Sequence, residues 1–211
     1  PNSRLSNYFA LRYKNFNADM SDFLEKVKME GNFINSSISS ADIAFFLLLL
    51  KDLDKTLRVN GYVSGTVANI QAKKFNLQYG NDTRLDGDIR ITGLPDIEKT
   101  FIDFQSNDFR TTYKDAVSFV PAIKDITNPS ISELGYLRFK GKYTGFIRNF
   151  TAYGTLETAL GNVTTDIKMK LPENKPPTYS GKVETASFNL GKFLGRTDVG
   201  VIAFNGELSG S

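Results

Sequence analysis

Cysteine, histidine and tryptophan are all missing from the 211 residues. Without cysteine there is no disulfide framework, no thiolate nucleophile and no Cys-held zinc or iron–sulfur site. Without histidine the Ser-His and Cys-His nucleophile pairs, the usual catalytic zinc sites and the switch near pH 6–7 are excluded. Any remaining chemistry would rest on carboxylates, Lys, Tyr or Ser, so the chain is expected not to be an enzyme and to hold neither cofactor nor metal. Charge of one sign is scarce too: the net is +3, too little to build a strong field for nucleic acid. The longest apolar run, Ile43–Leu50, has eight residues, well short of the roughly 20 that span a bilayer. No secretory signal pattern precedes it. The chain is read as an interior piece of a longer protein, with any membrane anchor outside it.

What the chain does have is alternation. Leu57, Val59, Val63 and Val67 interleave with Arg58, Asn60, Ser64 and Thr66. Leu85, Ile89 and Ile91 interleave with Asp86, Asp88 and Arg90, and Leu137, Phe139 and Tyr143 with Arg138, Lys140 and Lys142. Val163, Thr165, Ile167 and Met169 alternate with Thr164, Asp166, Lys168 and Lys170. A period of two predicts strands with one apolar and one wet face, in an antiparallel sheet. Shorter runs at Phe75–Tyr79, Phe101–Phe104, Phe150–Thr158, Tyr179–Phe188 and Val201–Leu208 bring the expectation to roughly ten strands.

The first 55 residues read differently. Strands are predicted at Arg4–Tyr13 and Val27–Ile38, with a short helix at Asp19–Glu25 capped by Asn17 or Asp19. Ser40 can cap a second helix, carrying Ile43, Phe46, Leu47 and Leu50 at helical spacing. A third is predicted at Thr112–Phe119, stopped by Pro121.

An internal repeat is the most informative feature. Val59-Asn-Gly-Tyr-Val-Ser-Gly65, Phe139-Lys-Gly-Lys-Tyr-Thr-Gly145 and Phe204-Asn-Gly-Glu-Leu-Ser-Gly210 share one pattern, their first glycines 80 and then 65 residues apart (Gly61, Gly141, Gly206). Glycine inside a strand weakens it, so a recurring pair points to close backbone approach, twist or a bulge. The reading is a stack of related β modules: 1–56 an N-terminal strand-helix-strand-helix segment, 57–134 and 135–200 two β modules, and 201–211 the start of a third.

Other candidate sites have ordinary explanations. Asp82–Asp88 resembles a calcium loop only superficially, since Arg84 stands at a ligand position and Gly93 where the bidentate Glu belongs; a hairpin accounts for it. Arg138, Lys140, Lys142 and Arg148 form a basic strip, read as a solvated sheet face. No aromatic nucleic-acid signature accompanies it.

The stretch Leu137–Gly161, with Thr164-Thr-Asp-Ile-Lys168, Tyr179-Ser-Gly181 and Ser187-Phe-Asn-Leu-Gly191, resembles the TamB branch of the AsmA-like proteins in its Bacteroidota form. Arg4–Tyr13 and Gly31-Asn-Phe33 are similar to the same proteins. The resemblance implies an inner-membrane anchor, absent from this chain, and a long U-shaped β-sheet crossing the periplasm, the "β-taco". Its greasy inner face and an Omp85-type barrel partner at its far end go with phospholipid passage between membranes and with outer-membrane protein or autotransporter assembly. The family offers no catalytic residues to carry over.

The fold class expected is therefore mainly β: an elongated, curved antiparallel sheet forming a β-taco-like groove, with two or three short helices. The groove lining is assigned to Val59, Val63, Val67, Leu85, Ile89, Ile91, Leu137, Phe139, Tyr143, Val163, Ile167 and Val183. Its expected occupant is phospholipid or another acyl-chain ligand. A scaffold that binds a client or barrel strand by β-augmentation is the alternative. A carbohydrate-active sandwich ranks last, because tryptophan is absent.

Overall fold

Strands whose side chains alternate between apolar and polar need different surroundings on their two sides, and the chain meets this with one sheet. The computed structural model describes residues 3–43, 56–119, 121–173 and 175–210. The strands are β1 Asn7–Arg12, β2 Lys28–Ser39, β3 Thr56–Gly65, β4 Asn69–Tyr79, β5 Thr83–Thr92, β6 Phe101–Thr112, β7 Tyr136–Phe146, β8 Asn149–Thr158, β9 Gly161–Lys170, β10 Thr178–Asn189 and β11 Val201–Gly210. They form a single eleven-stranded sheet in sequence order, every neighbouring pair antiparallel. The mainly β class with short helices is thus what the chain adopts, and the sheet is open and uncurled. Each strand packs against its sheet neighbours, and no second sheet lies over either face among the described residues.

Five short helices lie between strands among the described residues: α1 Phe16–Met20, α2 Phe23–Lys26, α3 Ser40–Ile43, α4 Tyr113–Phe119 and α5 Leu190–Leu194. The helix expected at Asp19–Glu25 is two helices, and its cap is Asn15, whose side chain accepts from the Ala18 amide at 3.1 Å. Asp19 instead accepts from the Lys14 and Asn15 amides, which hold its carboxyl below the usual range. Helix α3 starts at Ser40 as expected; the apolar helix extending to Leu50 lies outside the described residues. Pro121 opens a 3₁₀ turn, Pro121–Asp125, directly after α4. No described helix is long and apolar enough to cross a membrane.

Besides the β1–β2 connection, which lies at the other end of the sheet, the long connections follow β2, β6 and β10, every fourth strand, and leave one end of the sheet. Two are tied together there by the Ser130 amide, which donates to the Phe193 carbonyl at 2.7 Å, and the Ala159 amide of the β8–β9 turn donates to the Leu134 carbonyl at 3.0 Å. The three copies of the glycine repeat fall on β3, β7 and β11, each the first strand after such a connection. The tightest core lies at the N-terminal side, where Phe33, Leu57, Val59 and Tyr79 cluster and the Tyr79 ring meets Phe119 of α4 edge-on at 4.8 Å.

Candidate functional site

Because neighbouring strands are locked in register, residues of one parity line up in rows running across the sheet, perpendicular to the strands. One row is Val63, Ala72, Ile89, Phe104, Tyr143, Ala152, Ile167, Gly181 and Leu208, from β3 to β11. Another on the same face is Val59, Leu77, Leu85, Phe109, Phe139, Leu156 and Val163, from β3 to β9. Between them runs Gly87, Ser106, Gly141, Gly154 and Thr165, from β5 to β9. Two ridges, the first interrupted by the small Ala72, Ala152 and Gly181, thus flank a floor of small side chains. The floor crosses four interstrand spacings, about 19 Å.

Backbone geometry explains the glycines in that floor. Gly141 and Gly154 stand opposite each other with φ of 152° and 144°. A β-carbon on either would run into a backbone carbonyl of the neighbouring strand, Tyr153 or Lys140. Of its two polar members, Ser106 and Thr165, Ser106 is 2% exposed and turns its hydroxyl onto the Phe139 carbonyl at 2.9 Å. No Asp, Glu, Lys or Arg stands in any of the three rows. On this face Tyr143 stacks on Phe150, ring centroids 4.9 Å apart. Its hydroxyl donates to the Phe146 carbonyl at 3.0 Å, and burial pushes its pKa up to about 12.

Ten of the twelve residues assigned to the lining from sequence lie in the ridges or in the adjoining apolar rows of this face: Val59, Val63, Leu85, Ile89, Ile91, Leu137, Phe139, Tyr143, Val163 and Ile167. Val183 shares the floor row with Thr165. Val67 does not belong with them. Strand β3 ends at Gly65, and Val67 sits in the turn to β4, 5% exposed, beside Ala68, whose amide donates to the Leu24 carbonyl at 2.9 Å. Val59 is buried, whereas Val63, Leu85, Ile89, Ile91, Leu137, Phe139, Tyr143, Val163, Ile167 and Val183 are half-buried. The face is closed around Leu57 and Val59 at the start of β3 and partly exposed along the rest of the lining.

Sequence reading missed Phe104, Phe109, Ala152 and Leu156, which complete the ridges. A bulge between Ser106 and Phe109 shifts the parity within β6 and hides Phe109, whereas Ala152 and Leu156 follow the unbroken alternation of β8 from Phe150 and could have been found from it.

The opposite face is charged and carries several ion pairs. Arg138 meets Asp108 at 2.7 Å and Glu157 at 3.6 Å, and Lys142 meets Asp103 at 3.5 Å. Arg148 reaches Glu98 and Glu173 at 3.6 and 3.7 Å. Three of the four residues of the basic strip, Arg138, Lys142 and Arg148, are thus ion-paired at the solvated surface, and Lys140 is exposed. Asp86 accepts from the Asn76 and Asn107 side chains and Asp88 from the Lys74 amide, within the β4–β5 hairpin and its neighbour. Compared with known proteins, the chain matches no family model, no curated protein and no solved structure.

Proposed function

We propose that this chain is a lipid-handling segment of a TamB-like protein, working in the periplasm, and that the floor between the two ridges holds acyl chains. One observation carries the reading: a charge-free track about 19 Å long runs across β5 to β9, and the ridge residues Leu85, Ile89, Phe139, Tyr143, Val163 and Ile167 beside it are only half-buried. The hydrocarbon core of a bilayer is about 30 Å thick, so one leaflet's acyl chain needs about 15 Å. Each methylene moved from water onto such a surface gains up to about 0.8 kcal/mol. A flat wall of ridges leaves part of the chain wet, so binding is reversible, as a carrier requires. Transfer of this kind needs no bond chemistry, which suits a chain without histidine or cysteine. The ligand is phospholipid, the role is support of outer-membrane biogenesis, and contact with an Omp85-type barrel lies outside this segment.

Native mass spectrometry of the purified protein, followed by lipid extraction, tests the reading. Co-purifying phospholipid is the expected result. Protein that is lipid-free and takes up no phospholipid from vesicles would overturn it. A second reading, a scaffold that takes up a strand of an outer-membrane client, draws on β1 and β11, which among the described residues pair on one side only. Recovery of a barrel protein without lipid would favour it.

A further inference from the structure

The floor is not equally covered along its length. On β7 the flanking ridge residues Phe139 and Tyr143 stand four positions apart, about 13 Å along the strand. Tyr143 leans away from the floor to stack on Phe150, one row farther out, and Gly141 and Gly154 are only half-buried. On β6 the residues facing this pair are Phe109 and Phe104. Their ring centroids lie only 6.1 Å apart, edge to face, so the two side chains lean inward from opposite ridges and meet above Ser106. Ser106 is 2% exposed. Its neighbour on β5, Gly87, is buried as well, and a β-carbon there would lie 3.1 Å from the Phe104 ring. The floor is roofed at β5 and β6 and partly exposed from Gly141 onward.

A bulge builds this roof. Phe104 and Phe109 are an odd number of residues apart, which in a regular strand puts them on opposite faces. The irregularity between Ser106 and Phe109 re-aims Phe109 onto the apolar face. Strands β7 and β8 pair without any such shift. Past Gly87 the same row reaches Phe75, which packs against the buried cluster of Phe33, Leu57, Val59 and Tyr79. The floor is therefore blind on its β4 side.

We propose that the Phe104–Phe109 pair is the stop of the track: it fixes where the methyl end of an acyl chain comes to rest, and so the length of chain that is taken. The proposal rests on the lipid reading and deepens it. Ser106 commits its hydroxyl to the Phe139 carbonyl, so the roofed end offers a head group no hydrogen bond and suits a methyl end. From Gly141 to Val183 the floor crosses three interstrand spacings, about 14 Å. That matches the half-thickness of a bilayer's hydrocarbon core, about 15 Å.

No cysteine occurs in the chain, so single thiols report positions along the floor. Ser106→Cys should react with a water-soluble maleimide more slowly than Thr165→Cys by about tenfold or more. Laurate should protect Thr165→Cys and leave the Ser106→Cys rate unchanged. Adding Phe109→Ala should bring Ser106→Cys close to the Thr165→Cys rate and raise the affinity for stearate relative to laurate. Ser106→Cys that reacts as fast as Thr165→Cys, with Phe104 and Phe109 intact, overturns the stop and needs no further variant. A folded Phe109→Ala protein with an unchanged preference between the two fatty acids overturns it too. If neither laurate nor stearate protects Thr165→Cys, the lipid reading itself fails and the stop falls with it.

Discussion

Tyr143 and Phe150 lie ring on ring across the β7–β8 pair, 4.9 Å between centroids and 27° between planes. The stack holds the Tyr143 phenol against the apolar face, and burial lifts its pKa from 10.0 to about 12. In the unfolded chain the phenol ionises near its ordinary value. Between pH 10 and 12 the unfolded state therefore loses a proton that the folded state keeps, and stability falls across that window. Tyr143→Phe removes the group. Urea midpoints at pH 8.5 and pH 11 should fall further in the unmodified protein than in Tyr143→Phe; equal falls would place the phenol in water.

On the other face the sign reverses. Arg138, hydrogen-bonded to Asp108, holds that carboxyl below its ordinary 3.8. A lowered folded-state pKa contributes stability that is present above pH 3.8 and is lost as pH falls through the folded value. Asp108→Asn should remove part of the acid sensitivity and slightly lower the melting temperature at pH 7. Because the partners are largely exposed, 0.5 M salt should shrink that difference.

Leu57 and Leu137 occupy equivalent positions at the starts of β3 and β7 and lie in one row of the apolar face, joined through Tyr79, Thr83 and Thr111. Leu57 is 4% exposed and Leu137 half-buried. Leu57→Ala should cost about 2–4 kcal/mol, within the range for buried leucines. Leu137→Ala should cost about 1 kcal/mol or less, because much of its side chain already faces solvent. Denaturant titration of both variants measures the difference. Equal losses would mean that the face at β7 is covered in solution.

Much of this sheet was legible in the sequence, and the failures share a cause. Wherever a strand keeps strict alternation, as β9 does from Gly161 to Lys170, its span and inward residues are readable directly. Strand β6 was read only as Phe101–Phe104, yet it continues to Thr112, because a bulge after Ser106 moves Phe109 to the parity opposite to Phe104's. Val67 was misplaced for the reverse reason: parity continued on paper through a turn that reverses the chain at Thr66–Asn69. Helix α5 went unpredicted, because five residues, Leu190–Leu194, capped by the Asn189 side chain onto the Lys192 amide, are too few to show a helical period. Pairing across strands, which creates the ridges and the floor, is a long-range property that no local pattern encodes.

Gly141 tests whether that floor depends on backbone approach. Alanine there must adopt φ near 152° with its β-carbon against the Tyr153 carbonyl. Gly141→Ala should therefore lose roughly 1–3 kcal/mol, the usual range for a forced backbone outlier. Gly200→Ala, where a β-carbon meets nothing within 4 Å, is the matched control and should be near neutral. Comparable losses at both would mean that β7 and β8 are farther apart than the register requires.

Adjacent residues on β9 separate the apolar track from the charged face. Ile167 stands on the ridge beside Ala152 and Gly181, while Lys168 points the other way, opposite Thr151 and Ser180. Ile167 is half-buried, so an aspartate there keeps water on part of its carboxylate and the sheet should survive. The same carboxylate would sit beside the floor that an acyl chain must occupy, and desolvating it costs several kcal/mol. Ile167→Asp should weaken uptake of a fluorescent fatty acid or phospholipid at least tenfold. Lys168→Asp, which changes net charge by more than Ile167→Asp does, should leave uptake within about twofold. Unaltered uptake by a folded Ile167→Asp protein would remove acyl chains from this face.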